Sequence, residues 1–387
     1  MRPALTLREV FGPGHLFSGR ISFGSPSWMA PDPDANELLT GLALTVAGDL
    51  PMVIHRGVAD DSGLGLIRDA GLTLPDDIRV YDDAHDYRST LASASERVVL
   101  QHVHPPEELD PERCWLPPDL LAFLNNKANL PELVAPASVP QRTVVSPEAA
   151  AAFDADAWEL PLVVKVATNE SIGGGRGVRV CHSAEELQTA VKEFTGTALV
   201  LEEFVHIRRS HCVQFATSGD AGIRYLGAPE QIVRDDGRFV GSWLEPDGVA
   251  PEGAVQIAQT VMRHAVARGY RGFAGVDVAQ LNDDRFMVLD LNFRMNGSTS
   301  SLLLSRRIAD ERSTPVMRLV PLQARSGWDD LARITAAAVR DHQVIPLCTY
   351  RPPDGSGEPA RLLAMVAGPD RDEVNARVDE LRRLGLE

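Results

Sequence analysis

The amino-acid sequence predicts a protein of mixed α/β and α+β class: a small layer with a parallel sheet, a larger and mostly antiparallel body, and a small C-terminal αβ unit. Three observations carry this expectation. Residues 1–120 alternate short apolar runs with helical stretches, the pattern of parallel strands joined by crossover helices. Residues 121–330 run strand after strand and contain a hairpin at 273–297. Residues 331–387 hold a Pro/Gly-rich linker, Arg351-Pro-Pro-Asp-Gly-Ser-Gly-Glu-Pro, followed by one strand and one helix. A chain of 387 residues is too long for one typical core, so these three segments are expected to be domains.

The elements follow in order. Asp34-Ala-Asn-Glu37 is a capping-box pattern opening a helix, 50–55 reads as a strand, and 62–70 reads as a helix closed by Gly71. Further strands are expected at 78–81 and 97–103. A helix beginning near Pro117-Pro118-Asp119 carries Asn125-Asn126-Lys127. Then come a strand at 142–145, a helix from Ser146-Pro147-Glu148, a strand at 160–166 and a glycine-rich loop. Beyond the loop lie a strand at 178–181, a helix opened by Ser183-Ala-Glu-Glu186 and a strand at 198–204. Strands at 212–217, 222–227 and 285–293 and a helix at 251–268 closed by Gly269 complete the body. The last strand is expected at 361–366, before a helix opened by Asp370-Arg-Asp-Glu373. No internal repeat is visible.

Composition excludes several classes. With 44% hydrophobic and 24% charged residues the chain is globular rather than disordered. A formal charge of -16 argues against nucleic acid or an anionic membrane as partner, because both need clustered positive charge. The four cysteines, Cys114, Cys181, Cys212 and Cys348, are scattered without metal-ligand spacing and read as free thiols. With no signal-peptide pattern and no apolar run of bilayer length, the expected location is the cytoplasm.

The hairpin at 273–297 carries the chemistry. Alternating apolar residues flank Asn282-Asp283-Asp284-Arg285, a turn signal. Centring the turn there makes facing residue numbers sum to 567, which sets Asp277 opposite Asp290 and Gly275 opposite Asn292. Directly opposed side chains lie about 4.5–5.5 Å apart at Cβ, close enough for two carboxylates to share one cation. Asp290, Asn292 and Arg294 follow at steps of two and face the same way. Like charges opposed in a sheet repel unless a cation lies between them, and an Asp, Asp and Asn set suits magnesium. The competing reading is a polar edge face with no ligand.

Lysine usage is the second clue. Of 38 basic residues only Lys127, Lys165 and Lys192 are lysine. Lys192 sits on a helix surface, whereas Lys165 interrupts the apolar strand Leu162-Val163-Val164. A buried lysine needs an anion, either a phosphate or a carboxylate such as Glu202. Ser171-Ile-Gly173-Gly174-Gly175-Arg176-Gly177 follows closely. Consecutive glycines let backbone N–H groups approach phosphate oxygens, although a flexible hairpin would use the same residues. The loop lacks a Walker closing Gly-Lys-Ser/Thr and opens no helix, so neither the P-loop nor the dinucleotide fingerprint applies.

The ordered set Lys127, Pro-Leu-Val-Val-Lys165, the glycine-rich loop, Leu-Val-Leu-Glu202-Glu203-Phe204-Val205, Asp277 and Asp290-Leu-Asn292-Phe-Arg294 resembles the ATP-grasp superfamily over about residues 120–300. Within it the chain is similar to the pheganomycin-type peptide ligases of actinomycete natural-product pathways. The resemblance implies an ATP-grasp fold preceded by a pre-ATP-grasp domain, and a carboxylate–amine ligase that releases ADP. It makes Lys127 and Lys165 phosphate lysines, Ser171, Gly173, Gly174, Gly175, Arg176 and Gly177 a lid over the phosphates, and Glu202, Glu203, Phe204 and Val205 the adenine hinge. Asp277, Asp290 and Asn292 become ligands of Mg2+, two ions being expected and Mn2+ being an alternative, and Arg294 lies beside the reacting carboxylate. Asp290 stands where glutamate is commoner, and no ribose-binding carboxylate stands out in 206–211.

The implied partners are ATP, a small-molecule carboxylate and an amino-acid or peptide amine, in antibiotic-type biosynthesis, with a homodimer as the expected assembly. Rival expectations are thioester formation or carboxylation on the same fold, or an ATP-binding regulator without turnover. His102-Val-His104 reads as a strand end rather than a metal pair, since no third ligand follows.

Overall fold

The computed structural model describes residues 1–24, 33–169, 177–194, 196–218, 222–234, 237–246 and 248–387. β1 (His15–Ser18), β2 (Met52–His55), β3 (Ile78–Tyr81) and β4 (Arg97–Leu100) form a wholly parallel sheet in the order β3-β2-β1-β4. The expected parallel layer is present, with one strand, β1, that sequence reading passes over. His15-Leu-Phe-Ser is too short to show a period, between Gly12-Pro13-Gly14 and Gly19. Helices Asp61–Asp69 and Ala84–Ser93 start on Asp60 and Asp83, whose carboxylates accept from the first free backbone N–H groups.

The second sheet is antiparallel. β5 (Arg142–Val145), β6 (Leu162–Ala167), β7 (Val178–Cys181) and β8 (Ala198–Glu203) pair in the order β5-β8-β6-β7. Helix Ala184–Glu193, capped by Ser183, buries Leu187, Ala190 and Val191 against Val164, Val166, Leu199 and Leu201.

The third sheet contains β9 (Ile207–Thr217), β10 (Ile223–Gly227), β11 (Glu230–Val233), β12 (Phe239–Leu244), β13 (Gly272–Leu281), β14 (Phe286–Asn292), β15 (Val316–Ala324), β16 (Val344–Tyr350) and β17 (Ala360–Gly368). Its order is β14-β13-β9-β11-β12-β15-β17-β16, with β10 on β9. Helix Glu252–Ala267 lays Ala258, Val261, Met262 and Ala265 on one face of β9, β13 and β14, where Val213, Val276 and Val288 point. That leaves the opposite face of the hairpin free for chemistry.

The sequence reading differs from the structure at the end of the chain. The expected strand and helix after the linker are present as β17 and helix Arg371–Arg383, but before the linker the structure adds helix Trp328–Arg340 and β16, and β15 and β17 pair along their whole lengths. The sequence Val344-Ile-Pro-Leu-Cys-Thr-Tyr350 is buried at every position and so lacks the alternation that marks a half-exposed strand. This unit packs against the N-terminal layer. A Cβ placed on Gly41 would meet Cys348 Sγ at 2.3 Å and Val58 Cγ1 at 2.6 Å. Gly41→Ala is therefore expected to lower stability by about 1–3 kcal/mol, read as a fall in thermal midpoint; an unchanged midpoint would show that this seam yields. Among the described residues no helix is long and apolar enough to cross a membrane.

Candidate active site

The hairpin places Asp277 opposite Asp290, Val276 opposite Leu291 and Gly275 opposite Asn292, as the sequence predicts. The route to that register is different. The turn is tighter than expected: Leu281 N donates to Arg285 O, Asp284 takes φ 67, and facing numbers near the turn sum to 566 (Val278 with Val288). A bulge between Asp277 and Val278 then inserts one extra residue, Leu289, and restores the expected register at the carboxylates. The bulge also frees the Leu289 carbonyl, which accepts from Lys165 Nζ at 2.8 Å.

Both singled-out lysines converge here. Lys127 Nζ donates to Asp290 Oδ2, although the two are far apart in sequence. Lys165 is paired with Glu202, one of the two anions the sequence leaves open, and Glu202 is shared with Arg142. Arg142 faces Glu202 across β5 and β8, and its Nη1 donates to Lys127 O at 2.7 Å. Burial pushes the Lys165 ammonium down to about 7, with the neighbouring charge of Lys127 adding to it. If all are ionised, the cations Lys127, Arg142, Lys165 and Arg294 outnumber the carboxylates Glu202, Asp277 and Asp290 in this cluster, an excess suited to an anionic ligand.

Arg294 is held by the chain on both sides. Its Nη1 donates to Asn125 Oδ1 at 3.3 Å, the same oxygen that accepts from Phe293 N at 2.9 Å. Gln101 Oε1, just beyond β4, accepts from Met295 N at 2.6 Å and ties the N-terminal layer to this loop. Gln214 grips the start of helix Thr299–Arg312 through Ser298 and Thr299. A cleft opens here, lined by Gln101, His102, Asn125, Lys127, Asn292 and Arg294 among others.

Other expected site residues are placed less directly. Glu203 pairs with Gln141 through both its backbone N–H and its carboxylate, and Phe204 lies edge-on between the rings of His182 and His206. Val205 packs beside Leu281 and Met287. Gly177 O accepts from Val166 N, while Ser171, Gly173, Gly174, Gly175 and Arg176 lie outside the described residues. His102 and His104 do not form a metal pair: His102 lines the cleft, and His104 bonds Tyr87 and faces Glu108. Sequence reading missed Gln101, Asn125, Arg142, Gln214 and Gln231 as contributors. Only the run Asn125-Asn126-Lys127 gave any local signal.

The donor set fits magnesium. Asn292 Nδ2 donates to Asp277 Oδ2 at 3.2 Å, and Gln231 Nε2 donates to Asp277 Oδ1 at 3.1 Å, so the Asn292 carbonyl oxygen remains for another partner. Among the described residues no cluster of three His, Cys, Asp or Glu side chains could hold a metal. Two carboxylates and a carboxamide leave coordination positions for phosphate oxygens and water, which is the habit of magnesium.

Burial, with the facing charge of Asp290, raises the Asp277 carboxyl to about 6. Asp290 is half-buried and its charge is also disfavoured by desolvation, but Lys127 and Lys165 bring its carboxyl below the usual value. The Asp277 shift has a sign. A carboxyl with a raised pKa in the fold favours its protonated form, so the metal-free protein loses stability as pH rises from about 4 to 6. Asp277→Asn removes that loss. In EDTA at pH 8 the variant should gain about 1–2 kcal/mol after discounting for cleft water, and the gain should vanish near pH 4. Thermal midpoints of both proteins across this range test it, and an equal difference at both ends would contradict it.

Comparisons with known proteins agree with this geometry. Residues 140–292 match the family model described as L-aspartate--L-methionine ligase, ATP grasp, and residues 6–122 match that of the L-aspartate--L-methionine ligase N-terminal domain. The N5-carboxyaminoimidazole ribonucleotide synthase of Synechococcus elongatus is 23% identical over 335 residues, covering 84% of this chain and 79% of that protein. The ADP complex of an N5-carboxyaminoimidazole ribonucleotide synthetase superposes with TM-score 0.60 at 14% identity, covering 99% of this chain and 97% of the other. Phosphoribosylamine--glycine ligase from Thermotoga maritima does so with TM-score 0.58 at 14% identity, covering 96% of each. The fold is that of ATP-grasp enzymes, and the two matched models together span most of the sequence. The chain belongs to the ATP-grasp superfamily of ATP-dependent, ADP-forming ligases.

Proposed function

We propose that this ligase joins a carboxylate to an amine through an acyl phosphate, forming a peptide bond between two amino acids. The observation that carries the reading is the convergence of Arg294, Lys127 and Asp290 on one cleft, with Asp277 facing Asp290 across the hairpin and Lys165 bonded to Leu289 beside it. A carboxylate bound to the Arg294 fork would lie next to groups suited to the phosphates of ATP. The matched family description names L-aspartate and L-methionine, and these are the first acid and amine to offer.

In the first step a substrate carboxylate oxygen attacks the γ-phosphorus and ADP leaves. Lys127 and Lys165 exchange their present partners, Asp290 and Glu202, for phosphate oxygens, and Arg294 fixes the acid. Asp277, Asp290 and Asn292 would hold magnesium, which when bound neutralises charge on the phosphates. In the second step the amine attacks the acyl carbon, Arg294 steadies the oxyanion, and phosphate departs. Lys165 and Arg294 are the side chains nearest the chemistry in this reading. The natural-product setting, the cytoplasm and a homodimeric assembly belong to the same proposal.

Carboxylation is the second reading, favoured by the carboxyaminoimidazole synthase likeness. ADP release measured over a matrix of amino acids, small peptides, coenzyme A and bicarbonate, with product mass, separates the two. A dipeptide mass supports ligation. ADP release that requires bicarbonate and yields no amide would overturn it.

A further inference from the structure

We infer that His102 takes the proton from the amine nucleophile during amide formation, an inference that rests on the peptide-ligase reading above. The attacking amine of an amino acid is an ammonium ion at neutral pH and must shed two protons by the time the amide is made. One leaves with the phosphate as hydrogen phosphate. The other needs an acceptor within the cleft.

Among the described residues lining that cleft, the obvious acceptors are engaged. Asp290 is held by Lys127, and Lys127 itself is a cation. Asn125 accepts from Phe293 N and Arg294, and Gln101 accepts from Met295 N. His102 differs from all of these. Its side chain is buried, with 7% of the residue exposed, it lines the cleft, and its ring makes no hydrogen bond to a described residue. An imidazole that lines a substrate cleft can bond substrate when it arrives.

Its position is fixed from both sides. The Gln101 bond to Met295 N ties the His102 segment to the loop of Arg294, so the imidazole is held beside the group that orients the acid. Burial first, then the charges of Arg294 and His104, hold the ring well below its ordinary value, so it is neutral when the amine arrives. The charged or titratable neighbours of the cleft are Arg294 after β14, Asp290 on β14, Lys127, and His104 on its own segment. The wall contributed by helix Pro118–Asn125 supplies Leu121, Ala122 and Asn125, none of which titrates. As nitrogen bonds to the acyl carbon it becomes positive. That proton passes to the departing phosphate as the C–O bond breaks, His102 having already taken the ammonium's first proton to free the lone pair, so the products are neutral amide, hydrogen phosphate and imidazolium, which returns its proton to water.

The test compares two nucleophiles in the full-length enzyme with ATP, Mg2+ and L-aspartate: L-methionine and hydroxylamine. Hydroxylamine is uncharged at neutral pH and traps an acyl phosphate without needing a base. His102→Gln should lower amide formation with L-methionine about 100-fold more than hydroxamate formation, and the amide rate should recover as pH rises from 7 to 9. Equal losses with both nucleophiles, or no loss with L-methionine, would overturn the role of His102. His102→Asn, a smaller polar replacement, should show the same split and guards against a packing artefact of glutamine. If the unaltered enzyme gives neither amide nor hydroxamate over the substrate matrix, the peptide-ligase reading itself falls, a result distinct from failure of His102.

Discussion

Asp290→Ala is expected to abolish substrate-dependent ADP formation, lowering turnover at least about 1000-fold, in a protein that still folds. Asp290 sits where three lines of the site meet. It faces Asp277 across the hairpin, accepts from Lys127, and bears on the charges of Lys165 and Arg294. Alanine would leave Lys127 without its carboxylate and remove one of two acidic oxygen donors from the candidate metal site. Circular dichroism and a thermal midpoint establish folding, and a coupled ADP assay with the active substrate pair reads the loss. Asp290→Glu should recover part of the activity, because it restores charge with a longer reach. Full turnover in the alanine variant would remove the basis for placing chemistry at this hairpin.

The second large effect is at Arg294. Arg294→Ala should reduce kcat/KM for the carboxylate substrate by about 100- to 10,000-fold while leaving ATP affinity within a few fold. The separation follows from the geometry. Arg294 is held by Asn125 at the cleft, on the side where Gln101 and His102 enter from the N-terminal layer, whereas Lys165 sits toward Leu289 and Glu202. Arg294→Lys should recover little, since a single ammonium cannot reproduce two parallel donors to a carboxylate. Nucleotide binding by fluorescence or calorimetry, beside kcat/KM for the acid, checks both halves. A loss confined to ATP binding would move Arg294 to the nucleotide side.

Much of the site could be read along the chain because its parts lie on regular strands. Period-two spacing groups Asp277, Asp290 and Asn292 on one face whatever surrounds them, and an isolated lysine in an apolar strand is visible without coordinates. The fold class was legible for the same reason, since capped helices between short strands leave few alternatives to a parallel layer. Yet the hairpin also shows how a correct pairing can have an unforeseen cause. The tight turn at Asp284 shifts the ladder by one, and the Leu289 bulge shifts it back, because turn geometry and bulges are settled by packing rather than by periodicity.

The sequence alone determined which residue types are available: two facing carboxylates, a carboxamide, two lysines kept amid arginines, and the order that relates them to ATP-grasp enzymes. Tertiary structure decided which of them meet and in what company. Glu202 turned out to neutralise Lys165 and Arg142, Gln101 and His102 reach the cleft from a separate sheet, and β15, β16 and β17 extend the main sheet. The physical reason is one of range. Strand and helix periods act over a few residues and are written locally, whereas charge pairing, hydrogen bonding and burial act through space between segments 60 to 194 residues apart, such as Arg142 with Glu202 or Gln101 with Met295.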